Sequence, residues 1–351
     1  MKPAIICPHR SGGMLHYSIE LCTSLSEICS PHLIVPIDTE IPAYLPDIPV
    51  TEFRIPTDYS DFGPSNIKTA LNMKKYFYNN GINIIHGISN HPFLVLISLI
   101  SNKPFHYTCH DVVQHVGEFS WVKELSQSLL IKTSDEVYVH GKFNQSEFIE
   151  KYRTNPITII HGPYNMFREF CSSSDFDTNV LFFGRIKEYK GLDLLLDAFD
   201  KRTMDFELTI AGNGELNICQ REGVDTINRY IENDEVCELF TGTDLVVLPY
   251  REASQSGVLQ LAYAFDTPVV ATPVGGLDEM IDQDETGKVI SQVDSELLIS
   301  SIQELLSSPN ITDKMASNIN SRKNDKWGWI KTATITLERY KMSADAIDYE
   351  D

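Results

Sequence analysis

The sequence predicts an α/β protein of two Rossmann-like domains, each a parallel sheet wrapped by helices, facing each other across a cleft. Three observations lead there. Short apolar or β-branched runs alternate with helix-period segments along the whole chain, the pattern of strand-helix-strand units. The chain has 351 residues, beyond the roughly 250 at which single cores tend to split. Residues 168–178, REFCSSSDFDT, are polar, Ser/Asp-rich and without period, and read as a linker between two such series. The expected organisation is a domain over 1–165, a second over 166–325, and a closing amphipathic helix with an acidic tail over 326–351 that packs back on the first domain.

In the first half, strands are expected at 4–7, 82–86, 105–109, 136–140 and 157–160, with helices at 14–29, 66–78, 91–101, 121–130 and 142–152. The second half repeats the alternation. Its strands are expected at 180–183, 206–211, 245–248 and 269–271, and its helices at 192–199, 234–240, 256–265, 278–282, 294–307 and 310–323. Trp327, Ile330, Ile335 and Tyr340 recur near helical spacing and mark the final helix. Trp327 and Trp329 read as packing residues, one of them buried where that helix crosses back.

Composition excludes several classes. With 42% hydrophobic residues the chain is far too apolar for an acidic disordered protein. Its 29 Lys+Arg against 49 Asp+Glu give a net charge of −20, which disfavours nucleic acid as a partner. The charge is uneven. Residues 1–165 hold 12 basic and 15 acidic residues, and residues 166–351 hold 17 and 34. The near-neutral first half stays compatible with peripheral contact at a membrane surface. Seven scattered cysteines without a Cys-x-x-Cys pair fit a reducing compartment. The N-terminal apolar run is too short for a signal peptide, and the longest apolar stretch, 92–100, is half of what a spanning helix needs. The expectation is a cytoplasmic chain, at most resting on the inner face of the cytoplasmic membrane.

The chemistry concentrates in the second half. In VLFFGRIKEYKGLDLLLDAF a strand ends at Gly184, Arg185 follows, and Lys190 and Gly191 open the next helix. A guanidinium, an ammonium and a helix N-terminus at one strand edge suit a diphosphate. LTIAGNGE adds a strand and turn, and DLVVLPYREASQSGVLQLAYAFDTPVVATPVGGLDE follows. The ordered series FxGR, YKGLDLLLDA, AGNGE, NRYI, DLVVLPY, SGVLQLAYA, PVVAT and VGGLDE resembles the retaining GT-B glycosyltransferases of family 4, the glycosyl transferases group 1, densely over 180–287 and more loosely before. That resemblance implies the GT-B fold and transfer of a hexose-type sugar from a nucleotide-diphosphate sugar to an acceptor hydroxyl. It implies no cofactor and no metal, since Arg185 and Lys190 match the basic pair that holds the donor diphosphate. Gly12 and Gly13 match the Gly-rich loop after the first strand, where backbone must come close to the donor. His110 matches the histidine that faces the transferred sugar. A saccharide or lipid-linked saccharide acceptor and a role in bacterial surface polysaccharide assembly also come with the resemblance.

One motif departs from the family. Its acidic pair is Glu, seven residues, Glu, with the first carboxylate on sugar hydroxyls and the second on the ribose. Counting from Glu252 ends at Gln260, whereas an ungapped count back from Thr267 and Pro268 pairs Ala253 with Leu261. The first alignment is preferred, because Gln can still bond a ribose diol. Ser254, Gln255, Ser256 and Gly257 then form a loop before a helix that can offer backbone N–H groups to donor oxygens.

Blander readings apply elsewhere. All ten histidines lie between His9 and His161, but none forms a His-x-x-x-His or His-Glu-x-x-His pair, so no metal site is expected. Gly275, Gly276 and Glu279 read mainly as a turn and helix start. Asp193 and Asp197 read as a solvated helix face. A nicotinamide-dependent oxidoreductase would need Gly-x-Gly-x-x-Gly after a strand, and neither Gly12-Gly13 nor Gly212-Asn213-Gly214 has that spacing. A nucleotide-sugar epimerase on the same fold and a non-catalytic scaffold subunit are the remaining alternatives.

Overall fold

The computed structural model describes residues 1–41, 45, 48–59, 61, 63–115, 117–171, 176–215 and 221–348. Residues 172–175 of the expected linker and the tail acids Glu350 and Asp351 lie outside these. The chain divides into two compact units, Met1–His161 with Trp329–Asp351, and Gly162–Gly328.

Unit 1 holds a seven-stranded parallel sheet of β1 (Pro3–Ile6), β2 (His32–Pro36), β3 (Val50–Phe53), β4 (Ile84–Gly87), β5 (Phe105–Cys109), β6 (Glu136–His140) and β7 (Ile157–Ile159), in the order β3-β2-β1-β4-β5-β6-β7. Its helices are α1 (Gly13–Ser26), α2 (Pro64–Asn79), α3 (Pro92–Ile100), α4 (Trp121–Thr133) and α5 (Gly141–Tyr152). Strands covered on both faces read as continuous buried runs, as in PAII of β1 and FHYTC of β5. Alternate residues serve opposite faces. Ile85, Tyr107 and Val139 join Met73, Phe93, Leu130 and Phe148 in one apolar cluster beneath α2 to α5.

The intervening residues His86, His106 and Tyr138 face the other layer, where α1 packs with α11 (Trp329–Asp348). There the sheet is polar. His86 Nδ1 pairs with Tyr340 Oη at 2.6 Å and its Nε2 with Thr108 Oγ1 at 2.7 Å. His106 Nδ1 pairs with Tyr138 Oη at 2.7 Å and its Nε2 with Ser343 Oγ at 3.0 Å. With every ring nitrogen of these two buried imidazoles bonded, the C-terminal helix is held in one register, since any slip would strand polar groups away from water.

Unit 2 repeats the plan with six parallel strands: β8 (Thr178–Phe183), β9 (Leu208–Ala211), β10 (Val224–Ile227), β11 (Thr243–Leu248), β12 (Val269–Ala271) and β13 (Gly287–Val289), ordered β10-β9-β8-β11-β12-β13. The helices are α6 (Leu192–Asp200), α7 (Asn233–Thr241), α8 (Gly257–Ala264), α9 (Ser295–Leu306) and α10 (Pro309–Asn324). Both tryptophans of the closing segment are buried. Trp327 stacks on Tyr263 at 4.7 Å in unit 2, and Trp329 meets Tyr17 edge-on at 5.1 Å in unit 1.

Several expectations are corrected. Strands β2, β3, β10 and β13 were not expected. The helix expected at 278–282 is a turn: Ile281 N–H bonds the carbonyl of Leu277, but the next N–H, of Asp282, goes to Thr286 Oγ1 at 2.9 Å, which stops the helix after one turn. Asn165–Phe170 forms a 3-10 helix in unit 2 rather than the start of a loose linker, and the Arg168 guanidinium ties it to the Ala264 carbonyl and to Asp266. Cys171 and Cys237, far apart in sequence, form a disulfide with their Cα atoms 5.4 Å apart, whereas the scattered cysteine pattern fits a reducing compartment.

Candidate functional site

In a doubly wound sheet a crevice opens at the carboxyl edge where strand order reverses. In unit 2 that place lies between β8 and β11, which are neighbours although β9 and β10 intervene in the chain. The expected diphosphate residues fall there. Beyond β8 come Gly184 and exposed Arg185, whose Nη2 donates to Tyr189 Oη at 3.4 Å. Lys190 ends a 3-10 turn, Glu188–Lys190, that leads into α6. A Cβ placed on Gly184 would lie 3.8 Å from Lys190 Nζ and 3.3 Å from Val258 Cγ2. The end of β8, the Lys190 ammonium and the first turn of α8 therefore meet at one point.

A hydrogen-bonded chain fixes them. Lys190 Nζ donates to Tyr250 Oη at 2.7 Å and sits 4.3 Å from that ring's centroid. The phenol, having accepted from Lys190, also shares a hydrogen bond with Ser256 Oγ at 3.1 Å. Ser256 caps α8 by accepting from Leu259 N–H at 3.3 Å, which places its hydroxyl at the helix N-terminus. Burial pushes the Tyr250 phenol well above its ordinary pKa, so it stays protonated and remains a hydrogen-bonding hydroxyl. Tyr250 was read from the sequence only as part of a strand-end motif. Its role acts through a contact sixty residues away in the chain, which a linear motif does not encode.

The loop carrying Glu252 is held from two sides. Arg251 N–H donates to the Tyr189 carbonyl at 2.7 Å, and Thr272 Oγ1 donates to the Tyr250 carbonyl at 2.5 Å. Gly275 has φ 59°, and a Cβ there would fall 1.4 Å from the Ala253 carbonyl oxygen, so only glycine lets these two loops touch. The motif reading of Gly275 as a turn residue thus understated it. Glu252 is exposed, Ser254 is buried and Gln255 half-buried. Gly257, which opens α8, lies against the Tyr164 ring, 3.5 Å from where its Cβ would be. Gln260 is 1% exposed, its backbone carbonyl accepts from Tyr164 N–H at 3.3 Å, and its side-chain Oε1 has no hydrogen-bond partner among the described residues.

In unit 1 the order reverses between β1 and β4, and His9 Nε2 meets Ser89 Oγ there at 3.0 Å. Gly12 adopts φ 79° and caps α1 through its carbonyl, which accepts from Leu15 and His16 N–H at 3.0 and 3.1 Å. That left-handed conformation is what glycine supplies at a strand-to-helix turn. Gly13 follows, exposed. His110 lies just beyond β5, one strand further on. Three neighbouring strands, β5, β6 and β7, each end at or just before a histidine: ring centroids lie 4.9 Å apart for His110 and His140 and 5.1 Å for His140 and His161, with Tyr17 edge-on to His110 at 4.6 Å. Burial first, then His161 and His9, push His110 down to about 3. It is a neutral imidazole at ordinary pH, and its Nε2 has no hydrogen-bond partner among the described residues. His140 and His161 are both buried. Among the described residues, no group of three or more His, Cys, Asp or Glu is arranged to hold a metal ion, and no helix is long and apolar enough to cross a membrane.

Residues 177–308 match the family described as glycosyl transferases group 1. An uncharacterised glycosyltransferase of Methanocaldococcus jannaschii is 25% identical over 248 residues, 66% of this chain and 64% of that protein. The D-inositol 3-phosphate glycosyltransferase of Pseudarthrobacter chlorophenolicus is 31% identical over 182 residues, 48% of this chain and 43% of that one. The chain thus spans less than two-thirds of the length of these relatives. Sucrose-phosphate synthase from Thermosynechococcus elongatus superposes with a TM-score of 0.75 over 98% of this chain and 99% of that one, at 16% identity. HepE of Anabaena, solved with UDP, gives 0.72 over 97% and 100%, at 17% identity. The chain accordingly has two parallel-sheet Rossmann-like domains, the fold of these solved glycosyltransferases, and within its second unit residues 177–308 are similar to the glycosyl transferases group 1.

Proposed function

We propose that the chain is a retaining glycosyltransferase that moves a hexose-type sugar from a nucleotide-diphosphate sugar to an acceptor hydroxyl without a metal ion. The observation that carries this reading is the Lys190–Tyr250–Ser256 chain, which fixes an ammonium and a helix N-terminus together at the switch point of unit 2. As the anomeric C–O bond breaks, negative charge grows on the β-phosphate of the leaving nucleoside diphosphate. Groups already in place there stabilise the transition state more than the ground state. Lys190 supplies the charge, Arg185 a second cation, and Ser256 with the first N–H groups of α8 supply neutral donors.

The acceptor oxygen forms its bond to the anomeric carbon on the face the phosphate leaves, and its proton passes to a donor phosphate oxygen. No side chain becomes a nucleophile. The roles of neutral His110 and of the Glu252 carboxylate on sugar hydroxyls are carried over from the family resemblance. A saccharide or lipid-linked saccharide acceptor, assembly of a bacterial surface polysaccharide, and work at the inner face of the cytoplasmic membrane complete the proposal.

A panel of nucleotide-diphosphate sugars tests it by thermal shift and slow donor hydrolysis. At least one member should stabilise the protein and be hydrolysed, equally well with EDTA present. If no member shifts the melting temperature the donor reading fails, and if EDTA abolishes turnover the metal-free mechanism fails. With the donor identified, Tyr250→Phe is expected to weaken its binding about tenfold, the scale of one hydrogen bond to a charged group. Unchanged affinity by calorimetry would remove Tyr250 from the site.

A further inference from the structure

Residues 62–110 contain no Asp or Glu, in a chain that carries 49 of them, but they do contain Lys68, Lys74, Lys75 and Lys103. All of α2 and α3 lies in this stretch. The two helices pack together, and α4 packs against α3. The one acid on the three helices is Glu124, and it is already neutralised by Lys151 at 2.6 Å.

This layer is also apolar on the outside. The inward face of α2 is Ala70, Met73 and Phe77, buried in the core. A separate stripe, Ile67, Leu71 and Tyr78, is exposed, and its spacing of four and seven residues keeps it on one side of the helix. On α4 the inward residues are Ser126, Gln127 and Leu130. Trp121, Leu125 and Leu129 are exposed at four-residue spacing, nearly opposite the buried face by helical geometry. Water-facing helices ordinarily carry charge in such positions.

We propose that the outer face of α2 to α4 rests on an anionic lipid surface. The occupant follows from charge complementarity joined to residue type. Exposed Trp and Tyr beside Leu and Ile, bordered by Lys, is the composition of a surface that sits at a bilayer interface rather than spanning it. A chain at −20 is repelled as a whole by anionic lipid, and salt limits that repulsion to about 10 Å, so an acid-free face is where it can approach. Because α4 follows β5, its first turn, with Trp121, lies at the same sheet edge as Gly12, Gly13 and His110. A lipid-linked acceptor would be offered at that edge. The inference rests on the membrane-contact part of the proposed function and not on the transfer chemistry.

The full chain, without any sugar nucleotide, is sedimented with phosphatidylglycerol-rich vesicles and with phosphatidylcholine vesicles. Binding is expected to the first and not the second, and to weaken with salt. Trp121 is 69% exposed, against 1% for Trp327 and 5% for Trp329, so it reports contact directly by a blue shift and by quenching from brominated lipid. Leu125→Glu should weaken binding about tenfold, and Lys68→Glu with Lys75→Glu by a similar factor or more, at roughly fivefold per charge. All are surface positions, and circular dichroism checks that the variants stay folded. No binding to either vesicle overturns the proposal, as does binding that these variants leave unchanged. Equal binding to both vesicles overturns its charge argument. Concentration-dependent self-association that Leu125→Glu abolishes would assign the face to a second copy of the chain instead. Because no donor is present, failure here is separable from failure in the nucleotide-sugar panel.

Discussion

Lys190→Ala is expected to lower donor turnover by about 10²–10³, the cost of removing one preorganised charge-stabilising group from a transition state. The effect should fall on kcat as much as on kcat/KM, because the charge Lys190 meets grows during the reaction. The fold should survive. Lys190 is only partly buried, and without it Tyr250 still bonds Ser256 and Thr272 still holds the Tyr250 backbone. Lys190→Arg should not rescue, since a planar guanidinium cannot take the compact ammonium's place 2.7 Å from Tyr250 Oη and close over its ring. Arg185→Ala should cost less, about tenfold, because that side chain is exposed and its charge is screened by water. The charge balance of residues 166–351, 17 basic against 34 acidic, gives the anionic donor no long-range attraction. The two cations must act at contact distance, and raising salt should therefore change donor affinity little. A Lys190→Ala enzyme within threefold of the parent in kcat would remove this residue from the chemistry.

What the sequence disclosed depended on where each signal was stored. Strands buried on both faces near the sheet centre, FHYTC and EVYVH, were legible residue for residue because burial imposes a continuous run. β3 and β10 are edge strands with half-exposed residues, and β13 is an edge of three. Their conformation comes from the neighbouring backbone, which supplies no hydrophobic pattern. β2 is buried, but it follows Pro31 and ends at Pro36, and prolines at both ends obscure a strand pattern. At the candidate site, Arg185, Lys190 and Glu252 are nominated by their spacing along the chain. Tyr250 and Gly275 could not, because one acts by a hydrogen bond between distant segments and the other by admitting a carbonyl from another loop. The buried pairs around His86 and His106 were invisible for the same reason, since half of each pair belongs to a neighbouring strand or to the C-terminal helix.

Those histidines give the second large expectation, that acid opens unit 1 before unit 2. All ten histidines belong to unit 1. Burial holds His91 down to about 4 and His106 to about 3, and it holds His86 and His140 well below their ordinary range. In the unfolded chain these rings take up protons as pH falls through about 6.5. The folded chain refuses them until pH approaches the depressed values. Between those limits the unfolded state binds more protons, so stability is full above about 6.5 and is lost as pH falls, by about 1.4 kcal/mol per pH unit for each such group. At pH 5 His91 and His106 together cost about 4 kcal/mol, and His86 and His140 add in the same direction. A domain stable by roughly 5–15 kcal/mol loses most of its margin there. Unit 2 has no histidine and no such term. Hydrogen exchange followed from pH 7 to 4.5 should show β4, β5, β6 and α11 losing protection while β8 and β11 keep theirs. Loss of protection in both units at one pH would mean that they unfold as a single cooperative body, with the buried imidazoles not setting the order.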